Sequence, residues 1–438
     1  MRSFGAAVFG LTLISSPALA DFQIQDLSSP NGKSFWLVEE PSIPIVAIEI
    51  GFKGGSRLDP REQTGLSKFT MGLMNEGSGD LDAVAFSTRA DEISARIGFQ
   101  SGADKVEVSA RFLAETLDDS IDLLALAMAE PRFDAEPIER VRKQILSGIA
   151  QDETDPNAIA QKTWWERAFP NHSYGVDSSG TVEQVNSFGP DDFRTAHQRL
   201  MTSSNAFITI VGAITPEQAG TLVDKVLAGL PEGEPVQNNP AEDQPPPGIF
   251  VVKQDVPQSV AIFGHKGMKR DDPDFFAAYV MNYVLGGGGF SSRLTEEVRE
   301  KRGLAYSVYS YLSVYDEVEL YMGGVQTANE RIGESLDVIK AEWARMAAEG
   351  LTEEDLQKAK TYLTGSFPLR FDSNSKIANY LLFVQMEDLG IDYINTRNGR
   401  VEAVTLEDAK RAAQRLLDPE ALSIVVVGDP QGLEATAN

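Results

Sequence analysis

Apolar residues recur along the chain with two periods, one typical of strands and one typical of helices. Residues 105–112 alternate between polar and apolar side chains, which predicts a strand with one buried face. Residues 123–128 and 138–149 carry apolar side chains at three- and four-residue spacing, the pattern of amphipathic helices. Strands and helices mix without a strict βαβ order, so we predict an α+β fold in which a helical layer covers one face of each β-sheet.

The second half of the chain repeats the first at an offset of about 215 residues. The matched pairs, in chain order, are 46–48 with 260–262, 117–122 with 332–337, 182–185 with 401–404, 192–200 with 408–416, and 207–212 with 422–428. The last pair is apolar and ends in Val-Gly in both copies. Because the matches keep their order and nearly constant spacing, we infer a tandem duplication.

A segment crowded with proline, asparagine and acidic residues separates the two copies. Residues 231–248 lack hydrophobic periodicity, as expected of an extended linker. The sequence therefore predicts an N-terminal domain at 21–230 and a C-terminal domain at 249–438. With 438 residues, of which 42% are hydrophobic, the chain can bury two cores of ordinary size.

The first 20 residues have the three parts of a secretory signal peptide. A basic residue, Arg2, precedes an apolar run, and Ala18-Leu19-Ala20 forms a cleavage site of the A-x-A type. The run is too short to span a bilayer, and no later stretch reaches the roughly 20 apolar residues of a membrane helix. We expect an exported protein without a membrane span, periplasmic in a Gram-negative host.

Composition removes several classes of function. The chain has no cysteine, which excludes disulfides and thiolate chemistry. Its net charge of −26 argues against nucleic acid as a partner, because a polyanion is bound by a basic surface. An acidic exterior fits either basic peptides or simply a well-solvated surface. The histidines His172, His197 and His265 lie in separate segments without ligand spacing, and the Trp164-Trp165 pair is better explained by helix packing than by ligand binding.

A helical segment after the turn at 57–60 carries the first resemblance to a known family. Residues 65–78 resemble the N-terminal helix of the pitrilysin/insulinase peptidases, which include the mitochondrial processing peptidases. That family has H-x-x-E-H here, two zinc ligands and a general base. This chain has Lys68, Met71 and Gly72 in the three positions, and the third ligand of the family aligns near Ser147 or Gly148. The resemblance implies the fold of the processing peptidases and of LuxS-type metalloenzymes, and a chain that holds no zinc or other cofactor itself.

The most specific signal in the second half is a glycine run followed by a helix and a strand. The run consists of Gly286, Gly287, Gly288 and Gly289. Such a run either offers free backbone N–H groups to a ligand or serves as a flexible hinge. Leu294 and Val298 mark the buried face of the following helix, which Gly303 ends.

Arg299 and Tyr306 are seven residues apart, on the last turn of that helix and on the next strand, so their side chains could converge. Alone, Arg299 could simply complement the helix dipole, and Tyr306 could be an ordinary strand aromatic. The segment nevertheless resembles a pattern in the C-terminal half of the family, where an Arg and a Tyr face the zinc from the other half or subunit. The resemblance gives these two residues the roles of holding the substrate backbone and assisting the tetrahedral intermediate, and gives the glycine run a role in substrate handling.

The resemblance therefore predicts a heterodimer with a subunit that carries H-x-x-E-H and zinc. This chain would be inactive alone and would contribute Arg299 and Tyr306 to the hydrolysis of peptides or unfolded polypeptides. Two alternatives remain open. One is a proteolytically inactive structural protein comparable to the core proteins of the respiratory cytochrome complex, and the other is a free-standing enzyme with an unrecognised site.

Overall fold

A computed structural model describes residues 23–436, and the predicted signal peptide at 1–20 lies outside them. The elements of the first half are, in order, β1 (Gln25–Ser28), β2 (Ser34–Glu39), β3 (Ile45–Lys53), α1 (Leu66–Leu73), β4 (Gly77–Ser78), β5 (Leu81–Asp82), α2 (Ala83–Glu92), β6 (Arg96–Ser101), β7 (Lys105–Leu113), α3 (Leu117–Ala129), α4 (Ala135–Asp152), α5 (Pro156–Ala168), α6 (Val182–Ser187), α7 (Pro190–Leu200), β8 (Ala206–Gly212) and α8 (Pro216–Leu227).

The second half begins after residues 228–247, which form neither helix nor strand. Its elements are β9 (Gly248–Lys253), β10 (Gln258–Lys266), α9 (Phe275–Asn282), β11 (Ala305–Val314), β12 (Glu319–Ala328), α10 (Ile332–Glu349), α11 (Glu353–Gly365), α12 (Asn374–Met386), α13 (Tyr393–Glu402), α14 (Leu406–Leu416) and β13 (Ser423–Gly428). Two π-helical segments, Tyr283–Gly287 and Thr295–Glu300, lie between α9 and β11.

The two sheets confirm the predicted duplication strand by strand. The first sheet has the order β1-β2-β8-β3-β7-β6, and the second has the order β9-β13-β10-β12-β11. Apart from β1, each strand has a counterpart in the same place, and both copies pair one strand in parallel, β2 with β8 and β9 with β13. In each half one face of the sheet packs on a helical layer to form a core, so the predicted α+β architecture with two tandem domains is confirmed.

One helix of each half also packs on the sheet of the other half. Helix α5 of the first half packs on β10 and β13, and its Trp164, 0% exposed, donates from Nε1 to the carbonyl of Ser423 at 3.0 Å. Helix α12 of the second half packs on β3 and β8, where the Thr209 hydroxyl donates to the carbonyl of Ala378 at 2.8 Å. The exchange buries apolar area on the sheet face that the helical layer leaves open, and it fixes the halves against each other.

A buried ionic cluster forms a second link between the halves. The guanidinium of Arg57 contacts Glu317, and their side chains are 3% and 1% exposed. Asp104, 3.4 Å from Arg57, accepts a hydrogen bond from the Tyr174 hydroxyl at 2.5 Å. Burial raises the pKa of Asp104 above its usual range. Breaking such a pair would leave a charge stranded away from water.

No helix within residues 23–436 combines the length and the apolar character needed to cross a bilayer.

Candidate functional site

A short helical stretch places Arg299 at the edge of the second sheet. Ser292 begins it, accepting a hydrogen bond from the backbone N–H of Thr295 at 3.3 Å. Leu294 and Val298 are both 0% exposed, which confirms the predicted buried face. Gly303 follows the end of the stretch and donates its N–H to the carbonyl of Arg299 at 2.9 Å, and its φ of +60° suits a residue without a β-carbon.

A carboxylate inside the same stretch anchors its last turn. Glu297 is buried and pairs with Lys301 at 2.8 Å and with Arg302 at 2.6 Å. Hydrogen bonds from these two cations lower the pKa of Glu297 to about 2. The neighbouring Arg299 pairs with a different carboxylate, that of the exposed Glu300, at 3.5 Å.

Tyr306 reaches solvent because β11 has a bulge at this residue. Ala305 pairs with Thr327 and Ser307 with Gln326, so two neighbouring residues of β12 oppose three residues of β11. The strict alternation of a regular strand therefore fails at the start of β11. Bulges are found beside active sites, where they redirect a side chain, and here Tyr306 is left 80% exposed.

The structure brings Arg299 and Tyr306 together, with a third residue that the sequence did not indicate. The guanidinium carbon of Arg299 lies 4.7 Å from the centre of the Tyr306 ring and 4.6 Å from the centre of the Phe290 ring. Cation–π contact with both rings holds the guanidinium in place, and Phe290 is itself 75% exposed. One indication in the sequence that Phe290 belongs to the site is its position directly after four glycines.

A cleft of about 610 Å³ opens beside this contact. Its lining includes Arg299, Tyr306, Gln258, Gln326 and Arg331, and no carboxylate is among the described residues that line it. In a chain of net charge −26 this is a locally basic, donor-rich surface. Such a surface can hold peptide carbonyls and stabilise developing oxyanion charge.

The glycine run is partly helical, which corrects its prediction as a loop opening a helix. Gly286 and Gly287 belong to the π-helical segment that continues α9. A β-carbon on Gly286 would stand 2.2 Å from Oγ and 2.7 Å from N of Ser310, so this glycine allows the segment to lie against β11. Gly288 and Gly289 connect it to the next helical stretch, Gly289 with a φ of +55°. Close packing is thus the reason for at least one of the four glycines.

The positions of the family's zinc motif do not fit a zinc ion. Lys68 is exposed and donates to the Ser179 hydroxyl at 2.9 Å. Met71 is 2% exposed and belongs to the core of the first half, and Gly72 has no side chain. Ser147 and Gly148, where a third ligand was expected to align, are exposed on α4. An ammonium and a buried thioether cannot replace imidazole ligands and a carboxylate base.

The three histidines are in three different places and serve structure. His172 contacts the carbonyl of Asn239 at 2.9 Å, His197 that of Met128 at 2.7 Å, and Nε2 of His265 accepts from Trp343 at 3.1 Å. Burial lowers the pKa of His197 and of His265. Across residues 23–436 no three His, Asp or Glu side chains are grouped so that they could hold a metal ion.

A larger cavity of about 990 Å³ lies between α4, α5 and the segment before α6. Its lining is acidic, with Asp152, Glu153, Glu166 and Asp177 among the contributing residues. Burial raises the pKa of Glu166. Sequence reasoning did not single out these residues, because they are spread over three elements.

Comparisons with family models and with curated proteins both match this chain to peptidase family M16. Residues 35–181 match the family model described as insulinase (peptidase family M16), and residues 187–363 match the one described as peptidase M16 inactive domain. A Helicobacter pylori protein named non-peptidase homolog YmxG is 26% identical over 84% of this chain and 86% of its own length. A Bacillus subtilis protein named uncharacterized zinc protease YmxG is 27% identical over 92% of this chain and 98% of its own length.

Solved structures give the same result. A peptidase M16 inactive domain from Pseudomonas fluorescens superposes with a TM-score of 0.87 at 27% identity, covering 94% of this chain and 98% of that one. A protease from Helicobacter pylori reaches a TM-score of 0.83 at 17% identity, covering 93% and 99%. A chain of complex III2 from Candida albicans reaches 0.76 at 14% identity, covering 92% and 95%. The last two share the fold.

Proposed function

We propose, from the premise that this chain belongs to the insulinase family of peptidases, family M16, that it is the zinc-free subunit of a heterodimeric periplasmic metallopeptidase. It is an inactive homologue within that family, since the residues of its motif positions cannot hold the metal. The partner is a subunit with an intact H-x-x-E-H motif, which supplies the zinc and the general base. The substrate is a peptide or an unfolded polypeptide.

The observation that carries the proposal is the contact of the Arg299 guanidinium with the rings of Phe290 and Tyr306. Solubility alone does not explain why a guanidinium contacts two exposed aromatic rings beside a cleft. Two features of this contact suit a donor that acts on a substrate of another subunit. Glu297 is already occupied by Lys301 and Arg302, so Arg299 is left with the exposed Glu300 at 3.5 Å and with its two aromatic contacts. Tyr306 presents its hydroxyl to solvent instead of the core.

In the pair, both side chains would act as hydrogen-bond donors. The planar guanidinium of Arg299 can hold a peptide carbonyl or carboxylate in a fixed orientation. The phenol of Tyr306 can donate to oxygen as negative charge develops on it. Neither residue needs to transfer a proton, so both fit a subunit that assists the reaction without performing it.

The test is the peptidase activity of the reconstituted pair. The partner is to be sought among neighbouring reading frames as a chain of similar length with H-x-x-E-H. Arg299→Ala should lower kcat/KM of the pair by about 10²- to 10³-fold, the usual cost of one oxyanion donor, and Tyr306→Phe should lower it in the same direction. Lys358→Ala removes an exposed cation of α11 that pairs only with Glu354; it is the control and should leave kcat/KM within about twofold.

The same experiment separates this role from a purely structural one. If the chain only held an assembly together, the pair would be equally active with Arg299→Ala and with Lys358→Ala. A pair that forms normally by sedimentation and keeps full activity with Arg299→Ala would therefore rule out the proposed role.

A further inference from the structure

Strand β11 carries tyrosines along the sheet face opposite the helical layer. Tyr309 pairs with Gly324, and Tyr311 pairs with Met322, which packs against α5 on that face. Leu312 and Val314 alternate with them and pack toward the core under the helical layer. Because side chains alternate between the faces of a sheet, Tyr309 and Tyr311 share the face that α5 covers only in part.

The bulge adds Tyr306 to the same row. In a bulge, two residues of one strand oppose a single residue of its neighbour. Ser307 pairs with Gln326, and Tyr306, which the register skips, is exposed like Ser307, whereas Ala305 and Val308 on either side of them are buried. Tyr306, Tyr309 and Tyr311 are 80%, 43% and 44% exposed. We call these three residues the tyrosine row.

The rings of the row are held in place before any ligand arrives. Tyr309 and Tyr311 stack with their centres 6.1 Å apart and their planes 24° from parallel. A β-carbon on Gly324 would stand 2.8 Å from the Tyr309 hydroxyl, so the ring lies across a residue that has no side chain. The spacing is close to the distance of about 6.7 Å at which side chains repeat on one face of an extended peptide.

The fold itself does not require this row. The corresponding strand of the first half, β6, has the sequence Arg-Ile-Gly-Phe-Gln-Ser and a single aromatic residue. Strand β11 has ten residues, of which none is charged, in a chain with 65 acidic and 39 basic residues. An uncharged aromatic surface of this kind, left exposed on a charged protein, is typical of a binding site.

We propose that the tyrosine row binds an extended peptide segment with aromatic or aliphatic side chains at every second position. This proposal builds on the proposed function, since Tyr306 belongs both to the row and to the Arg299 cleft. It names the substrate class: uncharged, β-prone stretches of unfolded polypeptide. The peptide would run along β11, with its alternate side chains on the rings and its backbone leading to Arg299.

The test uses the purified chain alone, so it does not depend on a partner or on catalysis. The probes are two fluorescein-labelled decapeptides of identical composition, one with phenylalanine at every second position between threonines and one with the phenylalanines in a block. Fluorescence anisotropy should show tighter binding of the alternating peptide. Replacing both rings, Tyr309→Ser with Tyr311→Ser, should raise its Kd by about tenfold or more, because two aromatic contacts are lost.

Two further variants make the result specific. Tyr309→Phe with Tyr311→Phe keeps both rings and should keep the Kd, which also answers the case in which the serine variant fails to fold. Tyr362→Ser removes a tyrosine of similar exposure, 57%, on α11 and should leave the Kd of the alternating peptide unchanged. Arg299→Ala should affect activity of the pair far more than binding by the isolated chain, so the two proposals can fail separately.

Three results would overturn the inference. The first is equal affinity for the alternating and blocked peptides, and the second is an equal loss of binding with Tyr362→Ser. The third is a wild-type dimer in sedimentation velocity that the double serine variant lacks, which would make the row a contact between two copies of this chain.

Discussion

Replacing Glu49 by Gln should stabilise the protein in alkaline solution and change little in acid. Glu49 lies in the middle of β3 and is 6% exposed, beside a cavity of about 440 Å³ that Tyr380 and Lys376 of α12 also line. Burial, reinforced by the nearby charge of Glu107 and opposed by that of Lys105, raises the pKa of Glu49 from 4.5 to about 8.

The sign and size of the effect follow from this shift. A carboxyl whose pKa is raised by folding contributes stability below its unfolded value, and this contribution is lost as the pH rises through the folded value. The window therefore runs from 4.5 to about 8. Each pH unit within it corresponds to about 1.4 kcal/mol, which sets a limit of about 5 kcal/mol for the whole window. Gln keeps the shape and cannot ionise.

Urea unfolding followed by circular dichroism at several values between pH 5 and pH 9 measures the effect. We expect Glu49→Gln to exceed the wild type by about 2 to 5 kcal/mol at pH 9 and to match it within about 1 kcal/mol at pH 5. Glu115→Gln, at an exposed position, is the control and should show no such trend. A difference between Glu49→Gln and the wild type that stays constant over the whole range would refute the reasoning.

Three other changes test the packing, each by urea unfolding at neutral pH. Trp164→Ala should cost about 3 to 5 kcal/mol, because this fully buried ring fixes α5 on the second sheet; a cost below about 1 kcal/mol would contradict the helix exchange. Arg57→Met should cost about 3 to 5 kcal/mol, because it strands Glu317 without its cation, and Arg57→Met with Glu317→Gln should recover part of the loss. Gly286→Ala should cost about 1 to 3 kcal/mol, because its methyl group would collide with Ser310.

The sequence was sufficient to predict the elements whose signals are local or repeated. The duplication held because both copies keep the same apolar periods, and the segment from Leu294 to Gly303 behaved as expected because a buried face and a positive-φ glycine are local requirements. Helices α3 and α4 were predicted from their apolar spacing for the same reason.

The remaining features depend on contacts between distant residues. The sequences of α5 and α12 do not reveal that each helix packs on the sheet of the other half. Their apolar residues would be equally expected if each helix packed within its own half. The contact of Arg57 with Glu317 joins residues 260 positions apart. The bulge at Tyr306 arises from its pairing with β12, and the position of Phe290 is defined only when Arg299 packs against it. Candidate chemistry could thus be predicted residue by residue, but its geometry could not.

The most direct test of the account is the zinc content of the purified chain, measured by atomic spectroscopy before and after assembly with its H-x-x-E-H partner and set beside peptide cleavage. We expect no tightly bound zinc and no cleavage for the chain alone, and one zinc per heterodimer with chelator-sensitive cleavage. Stoichiometric zinc in the isolated chain, together with cleavage that a chelator abolishes, would contradict the account.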